Sequence, residues 1–279
     1  MTTAEDPGDA LEELPAPRVP MLVQGACSAA LGCLVVLLAT TSTPLLLVLL
    51  LVVQLVLARG FLGLVDAPAD GGAFLVVGAT TLALDAVAYA AGGAVGGLVG
   101  VVGLSVSGAL VHQLSRRSRS RVIESLADTL VAVVLAGGVA CLLALRQLPG
   151  GRAALVSCLW AAVVALVLGR AGDRVAAAPA LAVGATRGWP GLVLALGAGS
   201  LAAVAAGSGP VDGSRAALLG LAAAAAASAG DLVVGIGAAE LRAGWRDARR
   251  VAALRPVGLL LPFAALGPVA YVAGRLVLR

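Results

Sequence analysis

The chain contains no lysine and no asparagine, and all 19 of its basic residues are arginine. Together with the abundance of alanine, glycine, valine and leucine, this reads as the coding bias of a GC-rich bacterial genome. Charge of either sign is scarce: charged residues make up 12% of the chain, hydrophobic residues 60%, and mean hydropathy is +1.04. Soluble domains carry roughly a quarter charged residues, so a water-soluble globule is excluded. Motifs of soluble chemistry are missing as well. There is no P-loop, no HExxH, no GxSxG and no dinucleotide-binding glycine fingerprint. Cysteine is limited to Cys27, Cys33, Cys141 and Cys158, with no CxxC and no Cys/His cluster. Metal and disulfide frameworks are therefore not expected, and these cysteines read as small packing residues.

Nine long apolar runs are present, at about 20–41, 43–58, 73–91, 93–112, 122–145, 153–169, 190–207, 214–236 and 256–277. A helix needs about 20 apolar residues to cross the hydrocarbon of a bilayer. The runs are continuous and lack the alternation of a membrane barrel, so the expected fold is all-α, a polytopic helical bundle. Residues 20–279 form one transmembrane domain. Residues 1–19 hold Glu5, Asp6, Asp9, Glu12 and Glu13 among prolines and read as a disordered acidic tail rather than a secretory signal. With the tail in the cytoplasm, 14 arginines fall on the cytoplasmic side and 5 on the other. That asymmetry obeys the positive-inside rule and places the protein in a bacterial inner membrane. It also explains the net charge of +4, because the arginines flank apolar runs instead of forming a nucleic-acid surface.

Several positions stand out against this background. Gly92, Gly96, Gly100 and Gly108 recur at multiples of four. Small residues so spaced suit either an internal packing seam or a dimer face. Asp85 lies deep in the third run and must be protonated, paired or facing a wet cavity. Glu124 and Asp128 sit one turn apart at the start of the fifth run, where acids balance a helix dipole and Arg121. Segment 238–255 carries Arg242, Trp245, Arg246, Arg249 and Arg250 and is expected to be a basic amphipathic helix on the cytoplasmic leaflet. Arg116, Arg117, Arg119 and Arg121, beside the sole histidine His112, form a second basic cluster.

The C-terminal third resembles phosphatidate cytidylyltransferase, the CDP-diacylglycerol synthase family, over about residues 184–278. Three stretches carry the likeness in the family's order. GATRGWPGLVLALGAG (Gly184 to Gly199) resembles the lysine-rich S-W-E-G turn and the glycine-bearing helix after it. Gly230-Asp231-Leu232-Val233 resembles the G-D-L-x-E-S that opens the family signature. LLLPFAALGPVAYVAGRLVL is similar in character to the last span. The resemblance implies a magnesium-dependent site, yet its catalytic parts are replaced. Ala238 and Ala239 stand where the lysine-arginine pair belongs, Pro190 replaces the glutamate of S-W-E-G, and Asp247 is the last acid of the chain. Phosphoryl-type transfer needs metal ions and cations to neutralise developing charge. Of the family's polar residues only Asp231 matches, and one carboxylate is no magnesium site.

The expected function is that of a non-catalytic relative, a membrane scaffold without cofactor in envelope growth or cell division. Its partners would be anionic headgroups on the cytoplasmic face, and a membrane protein or a second copy of the chain. The alternatives are a divergent phospholipid-synthesis enzyme using magnesium at Asp231, Asp85, Asp128 and Glu124, or a small-solute transporter with Asp85 as its proton or ion site. Placement of at least two of Asp85, Asp128, Asp173 and Asp231 within metal-bridging reach in one open cavity separates the enzyme from the scaffold.

Overall fold

The computed structural model describes residues 21–279 apart from 68–69, 117–120, 177–178, 182–187, 210 and 245–247. Among the described residues there are nine helices: α1 (Met21–Thr41), α2 (Thr43–Leu64), α3 (Asp70–Ala90), α4 (Gly96–Ser115), α5 (Val122–Gln147), α6 (Gly151–Val175), α7 (Trp189–Ala206), α8 (Gly213–Gly244) and α9 (Ala248–Val277). Every one is long and apolar enough to cross a membrane. The chain is thus an all-α, multi-pass membrane bundle, as its continuous apolar runs require. The acidic tail at 1–19 lies outside the described residues.

Short, specific junctions set the helix ends. Only Ser42, in extended conformation, separates α1 from α2, and Pro44 falls in the first turn of α2, where its missing N–H costs nothing. The α2 run extends six residues beyond the expected Ala58 to Leu64. Arg59 does not stop it, because Phe61, Leu62 and Leu64 still offer apolar surface. Asp66 and Arg121 adopt left-handed backbone at the α2–α3 and α4–α5 junctions. Gly92 and Gly93, both at positive φ, turn α3 back into α4 as their pairing suggests. The Tyr271 hydroxyl of α9 donates to the Gly93 carbonyl at 2.7 Å.

Contacts between helix ends divide the molecule into two poles. At one, Arg170 meets Ser28, Arg250 meets Asp66, and Gln113 meets Ser125. At the other, Arg146 donates to the Ala39 carbonyl and Gln147 to that of Tyr89. Successive helices therefore run in alternating directions. Every arginine expected on the cytoplasmic side that belongs to a described residue lies at or near the first pole. The basic segment 238–255 is divided between two elements: residues 238–244 continue α8 and 248–255 open α9. Alanine, glutamate and leucine at 238–241 favour continuation of the helix over a separate interfacial one. Trp245 and Arg246 lie outside the described residues.

Helix α9 is the hub, packed on α1, α2, α5, α6 and α8. It lies close against α5, where Gly138 and Gly267 bring the two backbones together. A Cβ on Gly138 would overlap the Ala264 carbonyl, and one on Gly267 would overlap the Gly138 carbonyl. Pro268 supplies the reason for this contact, since its missing N–H leaves the carbonyl four residues earlier, Ala264, without its usual helical donor. The Gly138 backbone comes up against that carbonyl, in the space a side chain would otherwise fill. Small residues serve the same purpose between α8 and α9, where a Cβ on Gly230 would stand 2.9 Å from Pro262 Cα.

Gly96 and Gly100 do not form the internal packing seam, the first of the two uses expected of the α4 glycines. Gly92 lies in the turn, and a Cβ on Gly96 or Gly100 would meet nothing within 4 Å, while one on Gly108 would stand 3.9 Å from Val76 of α3. Helix α4 rests on α3 and α5 through Leu98, Ser105, Ala109 and Gln113, which turns Gly96 and Gly100 away from the bundle beside exposed Val99 and Leu104. We expect Gly138→Ala and Gly267→Ala each to cost about 1–3 kcal/mol by overpacking. Gly100→Ala should change stability by less than about 0.5 kcal/mol. Thermal unfolding of the three variants in detergent micelles checks both outcomes.

Candidate functional site

Helix α6 ends in Gly169-Arg170-Ala171-Gly172-Asp173, which puts a cation and an acid three residues apart and hence on neighbouring positions of one helix surface. Both side chains turn inward and are buried. The Arg170 guanidinium donates to Ser28 Oγ of α1 at 3.1 Å and to Asp231 Oδ1 of α8 at 2.5 Å. Ser28 in turn donates to the Gln24 carbonyl at 2.9 Å. One arginine thereby joins α1, α6 and α8 near the arginine-rich pole. Arginine suits this role because its planar fork serves two acceptors in fixed directions.

Asp173 turns toward α7. Its Oδ1 accepts the Gly188 backbone N–H at 2.9 Å, so a carboxylate from α6 sits at the positive end of the α7 dipole. This reach depends on glycine. A Cβ on Gly191 would overlap the Asp173 carboxylate, and one on Gly172 would stand 3.1 Å from Gly191 Cα. The Gly188-Trp189-Pro190-Gly191 stretch is therefore a docking turn for an acid of α6, with Pro190 in the first turn of α7.

The other acids are placed elsewhere. Asp85, on α3, receives a hydrogen bond from Gln54 of α2 at 3.1 Å. Glu124 is exposed and pairs with Arg121, whose guanidinium it holds above its ordinary pKa through that hydrogen bond. Asp128 is half-buried on α5. Helix α3 packs on α2, α4 and α5, whereas α8 packs on α6, α7 and α9. Asp85 thus lies on a helix that does not pack against that of Asp231, and Glu124 is engaged by Arg121. Among the described residues no three of the histidine, cysteine, aspartate and glutamate side chains gather where they could hold a metal ion. The Asp231 environment does not fit magnesium, because its Oδ1 accepts from a guanidinium and cations repel.

Of the basic residues singled out in the sequence, Arg116 donates to Gln113 Oε1 at 2.8 Å, and Gln113 donates to Ser125 Oγ at 2.8 Å, fastening α4 to α5. Arg250 pairs with Asp66 at 2.8 Å, joining α9 to the α2–α3 junction. Arg174 and Arg255 are exposed at the same pole. Arg242 and Arg249 lie on α8 and α9, and Arg117 and Arg119 fall outside the described residues. Sequence reasoning treated Arg170 as a topology marker and passed over Ser28 and Gln54. The signal that could have found Arg170 is its position, inside the helix and three residues before an acid.

Comparison with protein-family models, with curated proteins and with solved structures finds no match to this chain.

Removing one partner of a buried ion pair leaves the other charge without compensation. We expect Arg170→Ala to destabilise the bundle by roughly 3–5 kcal/mol. The double variant Arg170→Met, Asp231→Leu should lose much less. Unfolding midpoints of the single and double variants in one detergent test this; equal losses would show that the charges themselves are not the cause.

Proposed function

We propose that the protein is a non-catalytic, cytidylyltransferase-like membrane scaffold. It holds anionic lipid headgroups, and through them or beside them a membrane partner, at its arginine-rich pole. By the positive-inside rule this pole faces the cytoplasm. The observation that carries the reading is the Arg170–Asp231 pair. Asp231 is the one acid that matches the family's polar residues, and here it is buried against a guanidinium from another helix. An acid so engaged ties helices together and is a poor metal ligand. Support for a lipid role comes from the exposed Arg174 and Arg255, set on helix ends around the same pole. Phosphate groups of anionic lipids are natural acceptors for guanidinium donors. A place in envelope growth or cell division in a bacterial inner membrane suits such a scaffold.

Two measurements test the proposal. Purified protein incubated with CTP, phosphatidate and magnesium should release no pyrophosphate. Release that disappears in Asp231→Ala would replace the scaffold by the enzyme. In native mass spectrometry, phosphatidylglycerol should remain bound more strongly than phosphatidylcholine. Reversing Arg174 and Arg255 to glutamate should weaken that preference by about fivefold or more per site, corresponding to about 1 kcal/mol for each surface arginine. No change in lipid preference would remove the headgroup role.

A further inference from the structure

Far from the ion pair, three helices share a second polar contact. Gln54 of α2 and Asp85 of α3 are both buried, at 0% and 2% exposure. The Gln54 amide spends both of its hydrogens. One goes to Asp85 Oδ1 at 3.1 Å and the other to the Ala136 carbonyl of α5 at 3.0 Å. Two oxygens are then left over, Gln54 Oε1 and Asp85 Oδ2, each buried without a hydrogen-bond partner. They belong to the same two groups that already share a hydrogen bond. On an ionised carboxylate both leftovers are acceptors, and no arrangement of the pair can satisfy either one. A full charge at this depth would also carry a large solvation cost.

Among the described residues no charged side chain pairs with Asp85. The described titratable groups on the helices packed against α3 are Arg59 on α2, His112 on α4, and Glu124, Asp128, Cys141 and Arg146 on α5; α3 itself adds Asp70, at its opposite end from Asp85, and Tyr89. Arg59 is exposed and lies five residues beyond Gln54, about 7.5 Å along α2 toward the arginine-rich pole. Arg146 donates to Ala39 at the opposite pole, and Arg116, just past α4, is committed to Gln113. The His112 ring lies against Gly72, at the far end of α3 from Asp85.

We infer that Asp85 and Gln54 form a proton-binding site within the membrane, in which Asp85 is a neutral acid carrying its hydrogen on Oδ2. The acid O–H donates to Gln54 Oε1 while the amide N–H donates to Asp85 Oδ1. One proton thus converts two unsatisfied acceptors into a closed pair of hydrogen bonds, and the second amide hydrogen anchors that pair to Ala136. The bound proton completes the polar join of α2, α3 and α5. Of the three states open to a membrane-depth carboxylate, the geometry selects the protonated one.

Infrared spectroscopy of the full chain in lipid nanodiscs tests the assignment. At neutral pH the wild-type spectrum should contain the carbonyl stretch of a carboxylic acid that Asp85→Asn lacks. In Gln54→Leu the band should persist at higher frequency, because its hydrogen-bond partner is gone; this variant keeps the assignment testable should Asp85→Asn fail to fold. Asp85→Asn, whose amide can repeat both hydrogen bonds, should keep the wild-type unfolding midpoint, while Asp85→Ala should lower it. Absence of the acid band from wild type at neutral pH overturns the inference. So does a band unaltered in both Asp85→Asn and Gln54→Leu, or a loss of midpoint in Asp85→Asn equal to that in Asp85→Ala.

Discussion

The bundle depends on how closely two backbones can approach when lipid supplies no hydrophobic force between helices. Burial of leucine against leucine gains little where the alternative is leucine against acyl chain, so contact distance and polar satisfaction decide the packing. The crossing of α5 and α9 at Gly138 and Gly267 meets that demand at the centre of the molecule. It also bears on one of the three prolines within α9, Pro256, Pro262 and Pro268. Each removes a backbone donor, and at Pro268 the carbonyl so released faces a glycine of the neighbouring helix. A side chain at Gly138 or Gly267 would separate the hub from the helix it leans on.

Polar groups follow a matching rule. Those inside the bundle are shared between helices instead of being collected in one chamber. Arg170 holds Asp231 and Ser28, Asp173 holds the amide that begins α7, and Gln54 spans Asp85 and Ala136. Each interaction joins different helices, and each engages an acid with a hydrogen-bond donor.

Much of the architecture can be read from the residues alone. Continuous apolar runs distinguish helices from barrel strands, and paired glycines at 92–93 mark a turn because both adopt positive φ. The outer limits of α2, α8 and α9 were harder to place. Charged residues such as Arg59 and Arg255 can lie within a helix whose backbone continues past the apolar window, so hydropathy measures the span and not the element. The α4 glycines misled for a related reason. Spacing shows that small residues share a face, but whether a neighbour covers that face depends on where the helix sits in the bundle. Arg170 shows the limit most clearly. In sequence it resembles any arginine at a membrane boundary, and only the meeting of α1, α6 and α8 reveals its partners.

The order of the spans along the chain has a consequence for biogenesis. Helix α9 emerges from the ribosome after the eight helices before it, yet five of them pack against it. Until it arrives, α5 displays a bare glycine backbone, and the α2 and α6 surfaces that it will cover face lipid or the insertion machinery. Earlier pairs such as α6 with α7 and α3 with α5 do not need α9, whereas the crossing at α5 forms only when that last, proline-bearing helix is delivered. A ribosome that stalls before residue 248 would leave a product without its keystone, exposed to membrane proteases that clear unassembled spans.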